Sequence, residues 1–260
     1  MKRIRVTAVS SRGLRLLLLP ALLVLASCGN HQFTVTHTGR FDGRTMNVLN
    51  EHGTIYAYGP AFGQPPNQYT VSQVSTFKNA RTNIKITQSD LTICPAALRQ
   101  PPQGACLKSP TPPIDYTVRV PKQAHLSLFT ANGSIHATDV TQPVDARVRT
   151  GEIKIQIPSY ANAATEEGNI TVLFGDAQWP GTLHFSTERG DIEVWVPATA
   201  DADVNLHTDH GTIFTDFNLR GTSSGDTETI AGSIGRGGNR KVDVHVTNGS
   251  IRMLKLTPQM

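Results

Sequence analysis

Cysteine, aromatic residues and charge are all scarce in this chain of 260 residues, at three cysteines, 6% aromatics and 17% charged side chains. No Cys-x-x-Cys occurs, so neither a dithiol redox pair nor a cysteine metal knuckle has its usual spacing. No Walker loop and no His-Glu-x-x-His occurs either, which removes the common signatures of nucleotide-binding enzymes and zinc proteases. After residue 30 no stretch carries the period of an amphipathic helix. One apolar run exists, Leu16 to Ala26, broken by Pro20 and short for a bilayer span. The excess of basic charge is local. Lys2, Arg3, Arg5, Arg12 and Arg15 all precede that run, and without these five the 24 basic residues become 19 against 20 acids, a formal charge of −1. No basic stripe is left for nucleic acid, and no polybasic patch for lipid headgroups.

Residues 1–27 read as a targeting leader. It ends in Leu25-Ala26-Ser27-Cys28, which resembles the bacterial lipoprotein signal. The resemblance implies diacylglyceryl transfer to the Cys28 thiol, cleavage before it, and acylation of the new amino terminus. An ordinary signal peptide with a chance cysteine is the alternative. Acyl chains on one cysteine make a stable anchor, since each buried methylene adds roughly 0.8 kcal/mol. Gly29 follows the cysteine where an Asp does not, which in a Gram-negative cell favours the outer membrane. Residues 28–32 are then the lipidated cysteine and a short tether. Four residues of link hold the folded part within ~15 Å of the membrane.

What is abundant is a triplet, Gly-polar-Ile, entered from an alternating strand and followed by another. Its glycines are Gly53, Gly133, Gly151, Gly168, Gly190, Gly211, Gly232 and Gly249, spaced 18, 17, 22, 21, 21 and 17 from Gly133 onward. A period near twenty signals stacked repeats. The glycine supplies positive φ at a corner, and the isoleucine starts a half-buried strand. Thr130, Thr165, Thr187 and Thr208 stand three residues before a corner, where a hydroxyl can bond turn backbone. Hairpins in a meander are one reading. The repeated Ile and Thr favour the other, an all-β solenoid akin to a parallel β-helix, with equivalent strands stacked in register.

The array divides the chain. Residues 33–113 are expected to be an N-terminal β region, and residues 114–257 the regular repeat. Leu91 to Pro113 holds six prolines together with Cys94 and Cys106, and reads as a surface excursion rather than a central strand. Outside the cytoplasm the two cysteines are expected to form a disulfide, stabilising by roughly 3 kcal/mol. Asn218 to Thr229 is rich in Gly, Ser and Thr and reads as a mobile loop, and the coil around Gly249 reads as the last of the stack.

Leu126-Ser-Leu-Phe-Thr-Ala-Asn-Gly-Ser-Ile135, Thr187-Glu-Arg-Gly-Asp-Ile192 and Thr247-Asn-Gly-Ser-Ile251 resemble a bacterial family of candidate adhesins of unknown function. The resemblance covers Ile114 to Leu256 well and Phe33 to Thr87 more weakly. It implies a β-solenoid on the cell envelope and no particular activity.

Few residues suggest chemistry. His207 and His210, with His184 on a neighbouring coil, are the best metal candidates, against a reading as solvated corner residues. Glu152, Glu166, Glu167, Glu188, Asp191 and Asp209 could stack into an acidic ridge, as a glycosidase or lyase would need. Trp179, Trp195 and Tyr160 could stack on sugar rings or pack in the core. Gly232 to Gly238 is glycine-rich, but no helix follows to hold a phosphate. The expected function is that of a lipid-anchored envelope protein with a binding or structural role, no cofactor or metal, and an envelope protein or polysaccharide as partner. A carbohydrate-active enzyme and an envelope-stress or assembly factor are the alternatives.

Overall fold

The computed structural model describes residues 32–96, 106 and 111–257. The leader, Cys28, Gly29 and most of the Pro-rich excursion lie outside the described residues. Every regular element among those described is a strand.

The regular part is a series of strand pairs, each bent at a glycine corner. They are β8 (His125–Asn132) with β9 (Ile135–Thr138), β10 (Val144–Thr150) with β11 (Ile153–Ile157), and β12 (Ala161–Glu167) with β13 (Ile170–Phe174). Next come β14 (Thr182–Arg189) with β15 (Ile192–Pro197), and β16 (Ala202–His210) with β17 (Ile213–Thr215). The two arms of a pair do not hydrogen-bond to each other. First arms pair in parallel with first arms, second arms with second arms, and the chain is a solenoid of two facing sheets. The hairpin reading is thereby excluded. Alternation explains the core: in β11 Ile153, Ile155 and Ile157 turn inward, while Lys154 and Gln156 turn to solvent.

Register is set at the corner. Ile55, Ile135, Ile153, Ile170, Ile192, Ile251 and Ile213 lie on one line across neighbouring strands. All but Ile213 are fully buried, each adding about 2 kcal/mol of apolar burial. The glycine before each of the six buried ones is required twice. At Gly151 φ is +140°, and an added Cβ would lie 1.9 Å from the carbonyl oxygen of Gly133 on the next coil. Gly211 needs its missing side chain for the contact alone: its Cβ would meet the Gly249 oxygen at 1.9 Å, and its φ is not in the left-handed range.

Thr130, Thr187 and Thr208 are buried, and their hydroxyls donate to the corner carbonyls of Gly53, Gly168 and Gly249 at 3.0, 3.2 and 2.8 Å. The polar middle residue of the triplet also has a task. Ser134, Asn169 and Asp191 each accept the backbone N–H of the corner next in the stack, from Glu152, Asp191 and Ser250. Corner amides that face no strand partner are thereby satisfied.

The amino-terminal strands extend both sheets. They are β1 (Phe33–Arg40), β2 (Thr45–His52), β3 (Ile55–Tyr58), β4 (Gln68–Ser75), β5 (Thr82–Ile86), β6 (Asp90–Pro95) and β7 (Asp115–Arg119). β2 and β3 pair in parallel with β8 and β9, so the Gly53 copy is a coil of the same stack. Beyond it β4 and β5 run antiparallel to their neighbours. β6 corrects one expectation: Leu91, Ile93 and Cys94 are buried in a strand, and the excursion starts only after Pro95. Its prolines masked a short alternating run that precedes them.

Three further corrections come from the carboxyl-terminal end, where β18 (Arg220–Ser224), β19 (Thr227–Ile234), β20 (Lys241–Asn248) and β21 (Ile251–Leu256) follow. Asn218 to Thr229 is not a loop but most of an antiparallel hairpin, with β19 on the edge of β16 and β18 outside it. Both faces of β18 are exposed, so no alternation marks it. Gly232 is not a corner. It lies inside β19, and the only neighbour an added Cβ would approach is the Leu219 side chain, not a glycine carbonyl. The coil of β20 and β21 is not the last layer either. It is inserted between β14–β15 and β16–β17, parallel to both. β19 occupies the outer edge of β16, so the returning chain has only the inner edge to enter.

Candidate binding faces

The two outward sheet faces carry the polar and aromatic side chains. On the face formed by β8, β10, β12, β14, β20 and β16 the side chains satisfy one another. His125 Nε2 and Asp145 are 2.7 Å apart, Asn162 Nδ2 donates to the same carboxylate at 2.7 Å, and Asn162 Oδ1 accepts the His184 backbone N–H. The bond from His125, helped by Asn162 against the pull of burial, holds the Asp145 carboxyl below the usual carboxylate range. Ala164 and Ser186 are small and leave a shallow trough between Arg147 and His245.

The expected acidic ridge does not form. Glu152 meets Lys154 at 2.6 Å, which lowers its pKa. Glu166 lies 3.7 Å from Arg149, and Glu167 pairs with Arg189. Asp191 accepts a corner amide, and Asp209 faces His207 and His245. Bases from neighbouring strands are interleaved with the acids, a pattern visible only once the register is known.

The histidines are likewise divided. His207 bonds Thr229 and Asp209 and stacks on His245 at 5.3 Å, whereas His210 faces Asp226 and His184 faces Asp243. His245 was not legible as a neighbour of His207, because the inserted coil brings it there. Among the described residues no group of three or more His, Cys, Asp or Glu side chains converges to hold a metal ion.

Gly221-Thr-Ser-Ser-Gly225 has the spelling of a serine-hydrolase elbow, Gly-x-Ser-x-Gly. Ser223 stands on exposed edge strand β18 before a hairpin turn, with no strand-to-helix elbow around it. Cys94 and Cys106 are joined by a disulfide with Cα atoms 5.6 Å apart, which fastens the excursion to the end of buried β6.

The three aromatic candidates separate by burial. Trp179 is 1% exposed, edge-on to Phe174, and its indole N–H donates to the Lys241 carbonyl: it is core. Tyr160 is half-buried and packs against the core cluster. Trp195 points outward from β15, half-buried as Tyr160 is, with its Nε1–H donating to Glu193 Oε1 at 2.8 Å. Around it lies an open groove of about 740 Å³, with Gln156, Leu173, Thr199 and Lys255 among its lining. Gln156, Leu173, Trp195 and Leu254 lie on one line across β11, β13, β15 and β21.

Solved structures similar to this chain include a candidate cell adhesion protein from Clostridium sporogenes, 10% identical, covering 86% of this chain and 100% of that one with a TM-score of 0.45. A candidate adhesin from Bacteroides fragilis is 11% identical over 85% of this chain and 97% of its own, with a TM-score of 0.41. A candidate lipid binding protein from Parabacteroides distasonis is 8% identical over 86% and 97%, with a TM-score of 0.26. At this level these likenesses assign no function. The chain matches no curated protein. The model of the Toastrack DUF4097 family matches residues 70–253, which take in β4 to β20 and the glycine corners from Gly133 onward, and the chain belongs to that family.

Proposed function

We propose that this chain is a lipid-anchored protein of the bacterial cell envelope that works by display, holding a rigid binding face close to a membrane without catalysing a reaction. The observation that carries the binding role is the groove at Trp195: an outward indole whose N–H is fixed by Glu193, lining an open groove beside the Glu152–Lys154 and Glu193–Arg252 ion pairs. Membership of a family of repeat proteins supports a scaffold.

The anchor reading stands on the Leu25-Ala26-Ser27-Cys28 sequence and places the protein, in a Gram-negative cell, at the outer membrane with an envelope protein or polysaccharide as partner. Wild-type protein is expected in the membrane fraction with incorporated palmitate, and Cys28→Ser in the soluble fraction without label. Membrane retention of Cys28→Ser with an unchanged lipid content removes the anchor from the account.

A further inference from the structure

We propose that the Trp195 groove binds an acidic glycan, with a pyranose ring stacked on the indole and a sugar carboxylate held at Lys255. The proposal rests on the reading of this face as a binding face and names its ligand class. Four features point to it. First, the indole edge is committed: Nε1–H donates to Glu193, so what Trp195 offers outward is ring surface. The apolar face of a pyranose packs on such a ring without needing a polar partner from it. Second, the platform is elongated. Gln156, Leu173 and Trp195 line it from register positions on three adjacent strands, and at ~4.8 Å per strand the line is about 10 Å long. It lies open rather than enclosed, which suits a polymer passing over it more than a small molecule swallowed whole.

Third, the rim is polar where sugar hydroxyls would fall, with the Gln156 amide and the Thr199 and Thr257 hydroxyls around an apolar floor. Fourth, the groove has a cation without an ion pair. Lys255 Nζ lies over the Phe217 ring, 5.2 Å from its centroid, the nearby Asp216 carboxylate accepts the Lys255 backbone N–H, and among the described residues no carboxylate approaches Nζ within ion-pair distance. The acid nearby on β15, Glu193, is taken by the Trp195 N–H and by Arg252 at 3.4 Å. A ligand carboxylate completes this site, whereas a neutral sugar leaves Lys255 unused.

The detergent-solubilised mature protein is titrated by calorimetry with oligogalacturonate and with a neutral maltooligosaccharide of equal length. Oligogalacturonate is expected to bind more tightly and to alter tryptophan emission. With two tryptophans in the chain and Trp179 buried, the emission change reports Trp195. Trp195→Ala is expected to weaken oligogalacturonate by about tenfold, and Trp195→Phe by no more than about threefold. Lys255→Gln should erase the preference, bringing oligogalacturonate binding down to that of the maltooligosaccharide. Thermal melting of each variant checks that the fold is intact. Absence of heat and of emission change with oligogalacturonate overturns the proposal, as does equal binding of the two sugars or undiminished binding by a folded Trp195→Ala. If these fail while a different envelope partner still crosslinks to this face, the glycan assignment falls and the display reading stands.

Discussion

A methyl group is enough to test what a coil corner requires. Gly63 has φ +74° and open space around it, Gly211 has the close carbonyl without the left-handed φ, and Gly151 has both. Ala at Gly63 is expected to cost about 1 kcal/mol of unfolding free energy. Ala at Gly211 should cost roughly 2–3 kcal/mol, because the obstacle is backbone of the next coil and cannot swing aside. Ala at Gly151 adds the two and should be the most damaging of the three. Urea denaturation of the single variants measures the order, and a Gly211 variant as stable as wild type, with Gly151 losing no more than Gly63, would show that coil contact contributes nothing beyond the dihedral. Gly-polar-Ile was legible in the sequence as a corner, with positive φ as its reason. The approach of one coil to the next was not, since it is a relation between glycines some twenty residues apart. The threonines were legible as backbone donors, but the acceptor, the next coil's glycine carbonyl, required the stack.

At the scale of strands, position in the chain and position in the stack part company. β20 is the penultimate strand in sequence yet sits between β14 and β16, with both edges bonded and Val242, Val244 and Val246 buried. β18, ahead of it in sequence, is a sheet edge with every residue exposed. Native-state hydrogen exchange should therefore place the β20 amides among the slowest in the molecule and those of β18 among the fastest. Exchange that quickens steadily towards the carboxyl terminus would contradict the insertion. This order was not legible because the coils of Gly211 and Gly249 present the same alternating arms and the same corner isoleucine, so either fits against β14 and β15. The hairpin of β18 and β19, hidden in a Gly- and Thr-rich stretch that lacks alternation, decides between them. Gly232 misled for a related reason: the triplet names a corner only when the arm before it faces another first arm in parallel.

Over the whole molecule, the repeat specifies a scaffold and the departures from it suggest the function. Cys28 stands out at the end of the leader, and Cys94 with Cys106 in the excursion, on sequence alone. Trp195 was not set apart from Trp179 and Tyr160, although the alternation Ile192-Glu-Val-Trp-Val196 puts it on the outward phase of its strand, while Trp179 and Tyr160 lie in stretches that do not alternate and their packing against the core follows from the fold. The histidines and corner acids were legible as polar outward residues, while the pairing of several of them across coils follows from register. The lipid proposed on Cys28 and the aromatic groove at Trp195 are the two parts of the proposed display role. Photocrosslinking in living cells tests that most directly, with a benzophenone amino acid replacing Gln156 beside the groove in the otherwise native chain. The account predicts a discrete adduct with an envelope component that disappears when Cys28→Ser releases the protein from the membrane. Adduct yield from position 156 no greater than from exposed Ser223 on β18 would contradict it.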